Sequence, residues 1–318
     1  MVRVSAITPT YNRAEFLGDA IETALRQTYE DIEIVVVNDG STDETHDVLD
    51  RYADDDRVRV LHNDRNRGMT VSWNRGAAIA NGEFLCILDD DDRWHPTKVQ
   101  KQVAFMDRLG ENYAVVYTGG VLVKNGRVVN AFVPKRRGVI YPEVLGSWGL
   151  EPHSGHMIRK SCFEAVGGFD TDFESNGDWD LSIRLAKQYE FEYIAQPLVE
   201  RITHGDNASE RPEHAETPAL TLEKYREELA RYPALERELR GGWEAMRGRR
   251  GIDEGRHYRA VYHYWRAFGY EPTAGRFLLA ATATLGPDAF DALGTARGVL
   301  FDLVTDYERP SADLKRLR

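Results

Sequence analysis

Four consecutive carboxylates, Asp89 to Asp92, follow the hydrophobic segment FLCIL at residues 84–88. Like charges at this spacing repel one another, and burying them is costly unless a cation accompanies them. Mg²⁺ and Mn²⁺ take carboxylate oxygens and commonly sit between one or two carboxylates and a diphosphate. The alternative is a solvated acidic turn in an acidic protein. The position directly after an apolar segment favours a divalent metal site over that turn.

Polar clusters also follow two other segments that have the composition of strands. TPTYNR (8–13) follows the first of them and NDGS (38–41) follows the second. Ligands of open α/β sheets bind at the carboxyl ends of the strands, so the three clusters should meet at one edge. Asp39 can accept hydrogen bonds from a nucleobase or from ribose hydroxyls, and Gly40 allows close approach of backbone. Asp-Gly-Ser is also an ordinary turn and helix start, so Asp39 alone does not decide between these functions.

The elements that must position these clusters can be predicted from hydrophobic periodicity. Strands are expected at 2–8, 32–38, 58–62 and 84–89, alternating with helices at 14–27, 41–52 and 71–80. Ser41 and Glu44 match a capping box at the start of the second of these helices. This alternation predicts a parallel sheet covered on both faces.

The pattern changes in the second half of the chain. A helix is expected from Pro96 to about Leu109, a strand at 113–118, and a hairpin at 121–130 that turns at Asn125-Gly126. Further segments predict a short helix at 163–170, an amphipathic helix at 178–188 and a strand at 192–197. From about residue 211 the composition indicates several helices without further strands.

Composition excludes several classes of protein. The net charge of −11 and the pI of about 5.4 argue against binding to nucleic acid. Cys86 and Cys162, the only cysteines, form neither a disulfide framework nor a zinc site. There is no Walker A sequence and no convincing G-x-G-x-x-G after the first strand. We find no signal peptide and no stretch of 18 apolar residues, so we expect a cytoplasmic protein without a transmembrane helix.

Five ordered segments resemble glycosyltransferase family 2: TPTYNR (8–13), VVVNDGSTDET (35–45), NRGMTVSWNRGAAIANGEFLCILDDDD (66–92), VGGFD (166–170) and GDWDLSIRL (177–185). The resemblance covers roughly residues 2 to 207. It implies an α/β protein of the GT-A fold, with a Rossmann-like, mostly parallel sheet, helices on both faces and a helical C-terminal extension. The implied domains are 1–210, divided into a nucleotide-sugar and metal half (1–110) and an acceptor half (111–210), and the extension 211–318.

The family implies an inverting glycosyltransferase that uses Mn²⁺ or Mg²⁺. It would move a sugar from a nucleotide-diphosphate sugar, UDP being the expected nucleotide, to a hydroxyl of a glycan or polyprenyl-linked acceptor. Such an acceptor suggests contact with the inner face of the cell membrane, for which the apolar segment 277–285 in the C-terminal helices is the candidate. Packing of this segment against the rest of the chain is the alternative.

The resemblance also assigns roles to individual residues. Tyr11 would lie against the base, Asp39 would contact it, and Arg67 or Arg75 would lie near the ribose or diphosphate. Asp89 and Asp91 match the family's D-x-D pair, with Asp91 the direct metal ligand. The implied nucleotide-sugar residues are Thr8, Tyr11, Arg13, Asp39, Arg67, Arg75, Asp89, Asp90 and Asp92. The implied metal ligands are Asp91, Asp89 and His204.

The catalytic base is expected in GDWDLSIRL. Many family members carry Glu-Asp-x-Asp here, whereas this chain has Gly177 in place of the glutamate. Asp178 matches the base, which would deprotonate the acceptor hydroxyl. Asp180 lies about 200° further around the helix, so the two carboxylates cannot share one role.

Two other functions remain open on the residues alone. A sugar nucleotidyltransferase would share the sheet and the acidic metal site, but it would usually carry a glycine-rich basic loop after the first strand. A non-catalytic nucleotide- or carbohydrate-binding module would leave the acidic residues merely solvated. Trp94 is either a sugar-stacking or a core aromatic residue, and His153 and His156 lie where the acceptor region should be.

Overall fold

A computed structural model describes residues 2–147, 149–173, 176–204, 217–286 and 289. These residues fall into two compact units. The first comprises 2–140 and 149–203 and contains the β-sheet. The second comprises 141–147, 204 and 217–286 and is mainly helical.

The first part of the sheet is parallel. Its strands are β1 (Val4–Thr10), β2 (Ile32–Asn38), β3 (Val58–His62) and β4 (Phe84–Ile87). Helices α1 (Ala14–Leu25), α2 (Thr45–Asp50) and α3 (Met69–Ile79) connect them. The strands lie in the order β3-β2-β1-β4 with every pair parallel, so their carboxyl ends share one edge, as predicted.

The second part of the sheet is mixed. It contains β5 (Arg93–Trp94), β6 (Tyr113–Lys124), β7 (Arg127–Phe132), β8 (Met157–Arg159) and β9 (Glu190–Thr203). Its helices are α4 (Lys98–Met106), α5 (Lys160–Ala165) and α6 (Gly177–Ala186). β8 lies antiparallel between β4 and β6, β9 runs parallel to β6, and β5 and β7 pair antiparallel with β9 and β6.

The predicted strand at 113–118 and the first arm of the predicted hairpin are one continuous strand, β6. The hairpin turn itself is where the sequence placed it. Asn125 and Gly126 have φ angles of 51° and 72°, the left-handed values that a two-residue hairpin turn requires.

The second unit consists mainly of helices α7 (Thr217–Lys224), α8 (Arg226–Leu229), α9 (Pro233–Asp253), α10 (His257–Tyr270) and α11 (Ala274–Leu285). Ala260 and Tyr264 of α10 pack against Ala280 and Ala283 of α11 in a small core of their own. The helical C-terminal region is therefore confirmed. Within the described ranges, no helix is both long and apolar enough to cross a bilayer.

Helix α3 packs closely on the parallel strands because of one glycine. A Cβ at Gly76 would lie 2.5 Å from Ile7 Cγ2 and 3.2 Å from Val37 Cγ2. Ile7 and Val37 are buried in β1 and β2. The position is therefore too crowded for any side chain.

We expect Gly76→Ala to lower the free energy of unfolding by about 1–3 kcal/mol, the usual cost of overpacking. Gly18→Ala in α1 is the matched control, because its Cβ would meet only ordinary contacts at 3.7 and 3.8 Å. That change should stabilise the helix by up to about 1 kcal/mol. Urea unfolding followed by circular dichroism measures both; equal stability of the two variants would contradict the close-packing argument.

Candidate active site

The acidic run, Asp89–Asp92, leaves the sheet at the carboxyl end of β4. Loss of water and then the charges of Asp91 and Asp90 raise the pKa of Asp89 to about 7, although a third of this side chain still reaches solvent. Burial and Asp91 raise the pKa of Asp90 to about 7 and hold that of Asp92 well above its usual range. The carboxylates of the acidic run therefore carry more negative charge than the surrounding residues neutralise.

Ser154 lies in a short helical turn, His153–Gly155, just before β8. It forms hydrogen bonds with two residues of the acidic run. Its hydroxyl donates to Asp92 Oδ2 at 2.6 Å and accepts the backbone N–H of Asp89 at 3.0 Å. Asp92 Oδ1 is buried and has no hydrogen-bond partner among the described residues. A buried carboxylate oxygen without a donor is where a cation or a ligand hydroxyl would be expected.

Arg13 pairs with the acidic run. Its Nη1 donates to Asp91 Oδ2 at 3.0 Å, and both side chains are only 12% exposed. The backbone that carries Arg13 is held by the β2–α2 loop, because Asn12 N donates to Ser41 Oγ and Ala14 N donates to Asp43 Oδ2. The polar segments that follow β1 and β2 therefore contact each other, and Arg13 in the first of them contacts the acidic run.

Asp39 lies at the end of β2 and is almost fully buried. Its Oδ1 accepts from Asn63 Nδ2 at 2.5 Å and from Arg67 N at 2.9 Å, and its Oδ2 accepts from Gly68 N at 2.9 Å. A carboxylate has about four acceptor positions, so Oδ2 retains capacity for one further donor. Gly40, at φ 75°, allows the Arg65 backbone to pass where a Cβ would lie 2.5 Å away.

The other predicted nucleotide residues differ in accessibility. Tyr11 is 40% exposed at the same sheet edge, and the Arg67 side chain is exposed. Thr8 is completely buried, and its hydroxyl has no hydrogen-bond partner in the described part of the chain. Arg75 donates to Asn63 Oδ1, so it supports the residue that holds Asp39. Their roles toward a nucleotide remain predictions.

Helix α3 also contacts the VGGFD segment. Asn74 donates from Nδ2 to the Phe169 carbonyl and accepts the Phe169 N–H at Oδ1, both at 2.8 Å. A Cβ at Gly168 would lie 2.6 Å from that Oδ1, so the glycine allows the contact. On another face of the same helix, Ser72 Oγ accepts from Asn63. One helix thus joins the Asp39 group to the segment that precedes α6.

Asp178 lies in the first turn of α6 and accepts the N–H of Trp179 at 2.8 Å. Burial and the neighbouring carboxylates are the main causes of the raised pKa of Asp89. The charge of Asp178 is a smaller cause, so Asp178 acts electrostatically on the acidic run. The glycine that replaces the family's glutamate has a steric reason. A Cβ at Gly177 would lie 2.6 Å from Thr70 Cγ2 on α3.

Asp180 has a structural role. It is buried and accepts from Arg184 Nε at 2.8 Å, while Arg184 Nη1 donates to the Val166 carbonyl. This pair connects α6 to the turn after α5. Asp178 and Asp180 therefore have different environments, as the helical spacing predicted.

His153 lies beside the acidic run, with its Nδ1 3.9 Å from Asp89 Oδ1. Burial lowers the pKa of both His153 and His156 to about 3, so both rings are neutral. His156 Nε2 lies 2.7 Å from the Leu150 carbonyl, and the two rings meet edge to face. His204 directly follows β9 and belongs to the second unit, so its role as a metal ligand stays a prediction.

In the ranges that the structure describes, no three His, Cys, Asp or Glu side chains converge to hold an ion by themselves. The residues nevertheless fit a hard divalent ion. The acidic run supplies carboxylate oxygens, including the unpartnered Oδ1 of Asp92, and Mg²⁺ usually completes its shell with water and substrate phosphates. Asp91, with Asp89, would hold such an ion.

Sequence reasoning missed Ser154 and Arg201. Burial and neighbouring carboxylates raise the pKa values of Asp89 and Asp92, and the charge of Arg201 on β9 opposes both shifts. Ser154 is separated from Asp92 by 62 positions, and no spacing rule connects them. Only the polar sequence EPHSGHM at 151–157 marks the segment.

Trp94 is a core residue. It is 1% exposed, its Nε1 donates to the Ser154 carbonyl at 2.8 Å, and Lys98 Nζ lies 3.9 Å from its ring centroid. Lys98 is itself fully buried and donates to Gln102 Oε1. Burial lowers the pKa of Lys98 from 10.5 to about 8, while the nearby Cys86 opposes this shift.

Because folding lowers the pKa of Lys98, protonation favours the unfolded chain. Its contribution to stability should fall as the pH drops from about 10.5 to about 8, by up to ~3 kcal/mol at 1.36 kcal/mol per pKa unit. Burial raises the pKa of the Cys86 thiol and opposes this gain above about pH 9. Unfolding of Lys98→Met between pH 7.5 and 10.5 should lack the Lys98 contribution, while Lys101→Met on the same helix should retain it. Identical pH profiles for Lys98→Met and the wild type would contradict the assignment.

Comparison with known proteins identifies the class. Solved structures with a similar fold include S. aureus TarS 1–349 in complex with UDP-GlcNAc, with a TM-score of 0.60 and 16% identity, covering 91% of this chain and 92% of that one. The same protein in complex with UDP gives a TM-score of 0.56 with 85% and 92% coverage. At this identity the likeness shows the fold alone, and it confirms the predicted GT-A fold.

Residues 5–167 match the family described as Glycosyl transferase family 2, and the chain belongs to that family. It is 32% identical over 144 residues to the putative teichuronic acid biosynthesis glycosyltransferase TuaG of Bacillus subtilis, covering 45% of this chain and 56% of the relative. It is 30% identical over 217 residues to an uncharacterized glycosyltransferase of Rickettsia bellii. That match covers 65% of this chain but only 31% of the relative, so the chain spans about a third of its length. The match confirms the predicted family, glycosyltransferase family 2.

Proposed function

We propose that this protein is a metal-dependent, inverting glycosyltransferase that moves a sugar from a nucleotide-diphosphate sugar to a hydroxyl of a glycan or polyprenyl-linked acceptor. UDP is the proposed nucleotide, because the capacity left on Asp39 Oδ2 suits the imide N–H of uracil. The metal is Mn²⁺ or Mg²⁺, held by Asp91 with Asp89.

One observation carries the proposal. The acidic run lies at the carboxyl edge of the parallel strands, where Asp92 is buried, its Oδ1 has no hydrogen-bond partner among the described residues, and Asp91 already pairs with a cation, Arg13, at 3.0 Å. A site that is short of positive charge at this edge is suited to a divalent ion and a diphosphate. A solvated turn would leave Asp92 exposed, whereas it is buried.

The residues of the chain then have separate roles in the reaction. Tyr11 and Asp39 bind the base, and Asp92 orients the donor sugar. Asp178 takes the proton of the acceptor hydroxyl as the bond from its oxygen to the anomeric carbon forms and the bond to the diphosphate breaks, which inverts the configuration. Asp91 with Asp89 would hold the metal, which would stabilise the negative charge on the departing diphosphate.

A panel of UDP-, GDP- and dTDP-sugars, assayed for released nucleoside diphosphate with Mn²⁺, Mg²⁺ or EDTA, tests this function. We expect metal-dependent release that increases with a glycan acceptor, and a product whose anomeric configuration, read by NMR, is opposite to that of the donor. Pyrophosphate release from a sugar 1-phosphate and a nucleoside triphosphate would instead indicate a nucleotidyltransferase. Binding of UDP without metal and without turnover would indicate a binding module.

Contact with a membrane remains a proposal that depends on a polyprenyl-linked acceptor. Helices α10 and α11 expose several aromatic and aliphatic side chains, namely Tyr258, Tyr262, Trp265, Phe277, Leu278 and Leu285. Amphipathic helices with such residues can lie in a bilayer interface.

A further inference from the structure

Arg13 neutralises the carboxylate that the proposed function gives to the metal. Arg13 Nη1 lies 3.0 Å from Asp91 Oδ2, and each side chain is only 12% exposed. Charge-assisted hydrogen bonds of this kind are stronger than neutral ones, and poor access of water strengthens them further. A metal ion that approaches Asp91 therefore meets a position already taken by a cation.

Three hydrogen bonds hold the loop that carries Arg13. Asn12 N donates to Ser41 Oγ at 3.0 Å, Thr42 N donates to Asn12 Oδ1 at 2.7 Å, and Ala14 N donates to Asp43 Oδ2 at 3.1 Å. These bonds hold the backbone on both sides of Arg13. The side chain can still rotate, so the guanidinium can leave Asp91 but stays within one arginine side-chain length of it.

A displaced guanidinium needs another anion, since two cations at one buried carboxylate repel each other. A diphosphate is that anion, because a guanidinium binds phosphate oxygens in a bidentate manner. We propose that Arg13 occupies the cation position at Asp91 while the donor is absent and turns to the donor diphosphate when the metal binds, so that metal and donor bind cooperatively. This inference depends on the proposed function for its metal and its diphosphate.

The test is Mn²⁺ binding, followed by the EPR signal of free Mn²⁺, with and without UDP and, in parallel, GDP. In the wild type, Mn²⁺ alone should bind weakly and the nucleotide should strengthen it. Arg13→Gln should bind Mn²⁺ alone roughly fivefold more tightly or better, and the strengthening by nucleotide should fall by a similar factor. By reciprocity, calorimetry should show the same loss in the effect of Mn²⁺ on nucleotide affinity.

Arg13→Lys keeps a cation and should retain the weak binding of Mn²⁺ alone. Arg93→Gln is the matched control. Arg93 directly follows the acidic run in the sequence, but it pairs with Asp19, at 2.6 Å. Its loss should leave the Mn²⁺ affinity unchanged. Thermal unfolding confirms that each variant is folded. Unchanged or weaker binding of Mn²⁺ alone by Arg13→Gln would overturn the inference while leaving the metal site intact. Absence of Mn²⁺ binding by the wild type with either nucleotide would overturn the proposed metal-dependent function as well.

Discussion

Replacing Asp178 by asparagine is expected to lower turnover by about 10²–10⁴-fold, the typical contribution of a general base. The amide keeps the size of the side chain and can still accept the N–H of Trp179, which now bonds to Oδ1 at 2.8 Å. It cannot take a proton from the acceptor hydroxyl. Donor binding should therefore survive, so the loss should appear in kcat with little change in the Kd for the nucleotide.

Asp180→Asn is the matched control for this prediction, two residues along the same helix. Asp180 is buried against Arg184, so its loss should lower the free energy of unfolding by about 2 kcal/mol or more while most of the turnover remains. Initial rates and urea unfolding of both variants give opposite patterns if the assignment is right. Activity of Asp178→Asn within about twofold of the wild type would remove Asp178 from the role of base.

Replacing Asp91 by asparagine should lower metal-dependent turnover by about 100-fold or more, since even changes in the groups that support a metal ligand typically cost 10–100-fold. An amide oxygen is a weaker ligand than a carboxylate, and the change also removes the negative charge that Arg13 faces at 3.0 Å. Calorimetry of UDP with increasing Mn²⁺ should show that the metal no longer strengthens nucleotide binding.

Asp19→Asn serves as its control, because Asp19 also pairs with an arginine, Arg93, but lies outside the acidic run. It should retain metal-dependent binding of UDP and most of the turnover. Equal Mn²⁺ dependence in Asp91→Asn and Asp19→Asn would mean that the ion binds elsewhere.

The parallel half of the fold could be predicted because its information is local. Buried strands such as Ile32–Asn38 are rich in Val and Ile, and Asn125-Gly126 is a turn by its own conformational preference. The predicted capping box of Ser41 and Glu44 was wrong, because Ser41 bonds to a distant part of the chain and not to the helix. α2 begins only at Thr45, and the Ser41 hydroxyl accepts from Asn12 N, a residue that the first strand delivers from 29 positions away.

The site could be predicted as a set of segments but not as a set of contacts. Sheet topology alone brings the ends of β1, β2 and β4 to one edge, so the positions of Asp39 and the acidic run followed from the alternation of strands and helices. The pairing of Arg13 with Asp91 and of Ser154 with Asp92 depends on side-chain directions that no periodicity encodes. The same holds for the absence of space at Gly177, which depends on Thr70.

The two-way bond between Asn74 and Phe169 has a consequence for engineering. It attaches α3, which also supports Asp39 through Asn63, to the segment that leads into Asp178. A chimera that exchanged the acceptor-side segment for that of a relative would have to carry a partner for Asn74 and a glycine at 168. Grafts that respect this pair should keep Asp178 in place relative to Asp39, whereas grafts that break it should express as proteins that still bind nucleotide but turn over slowly.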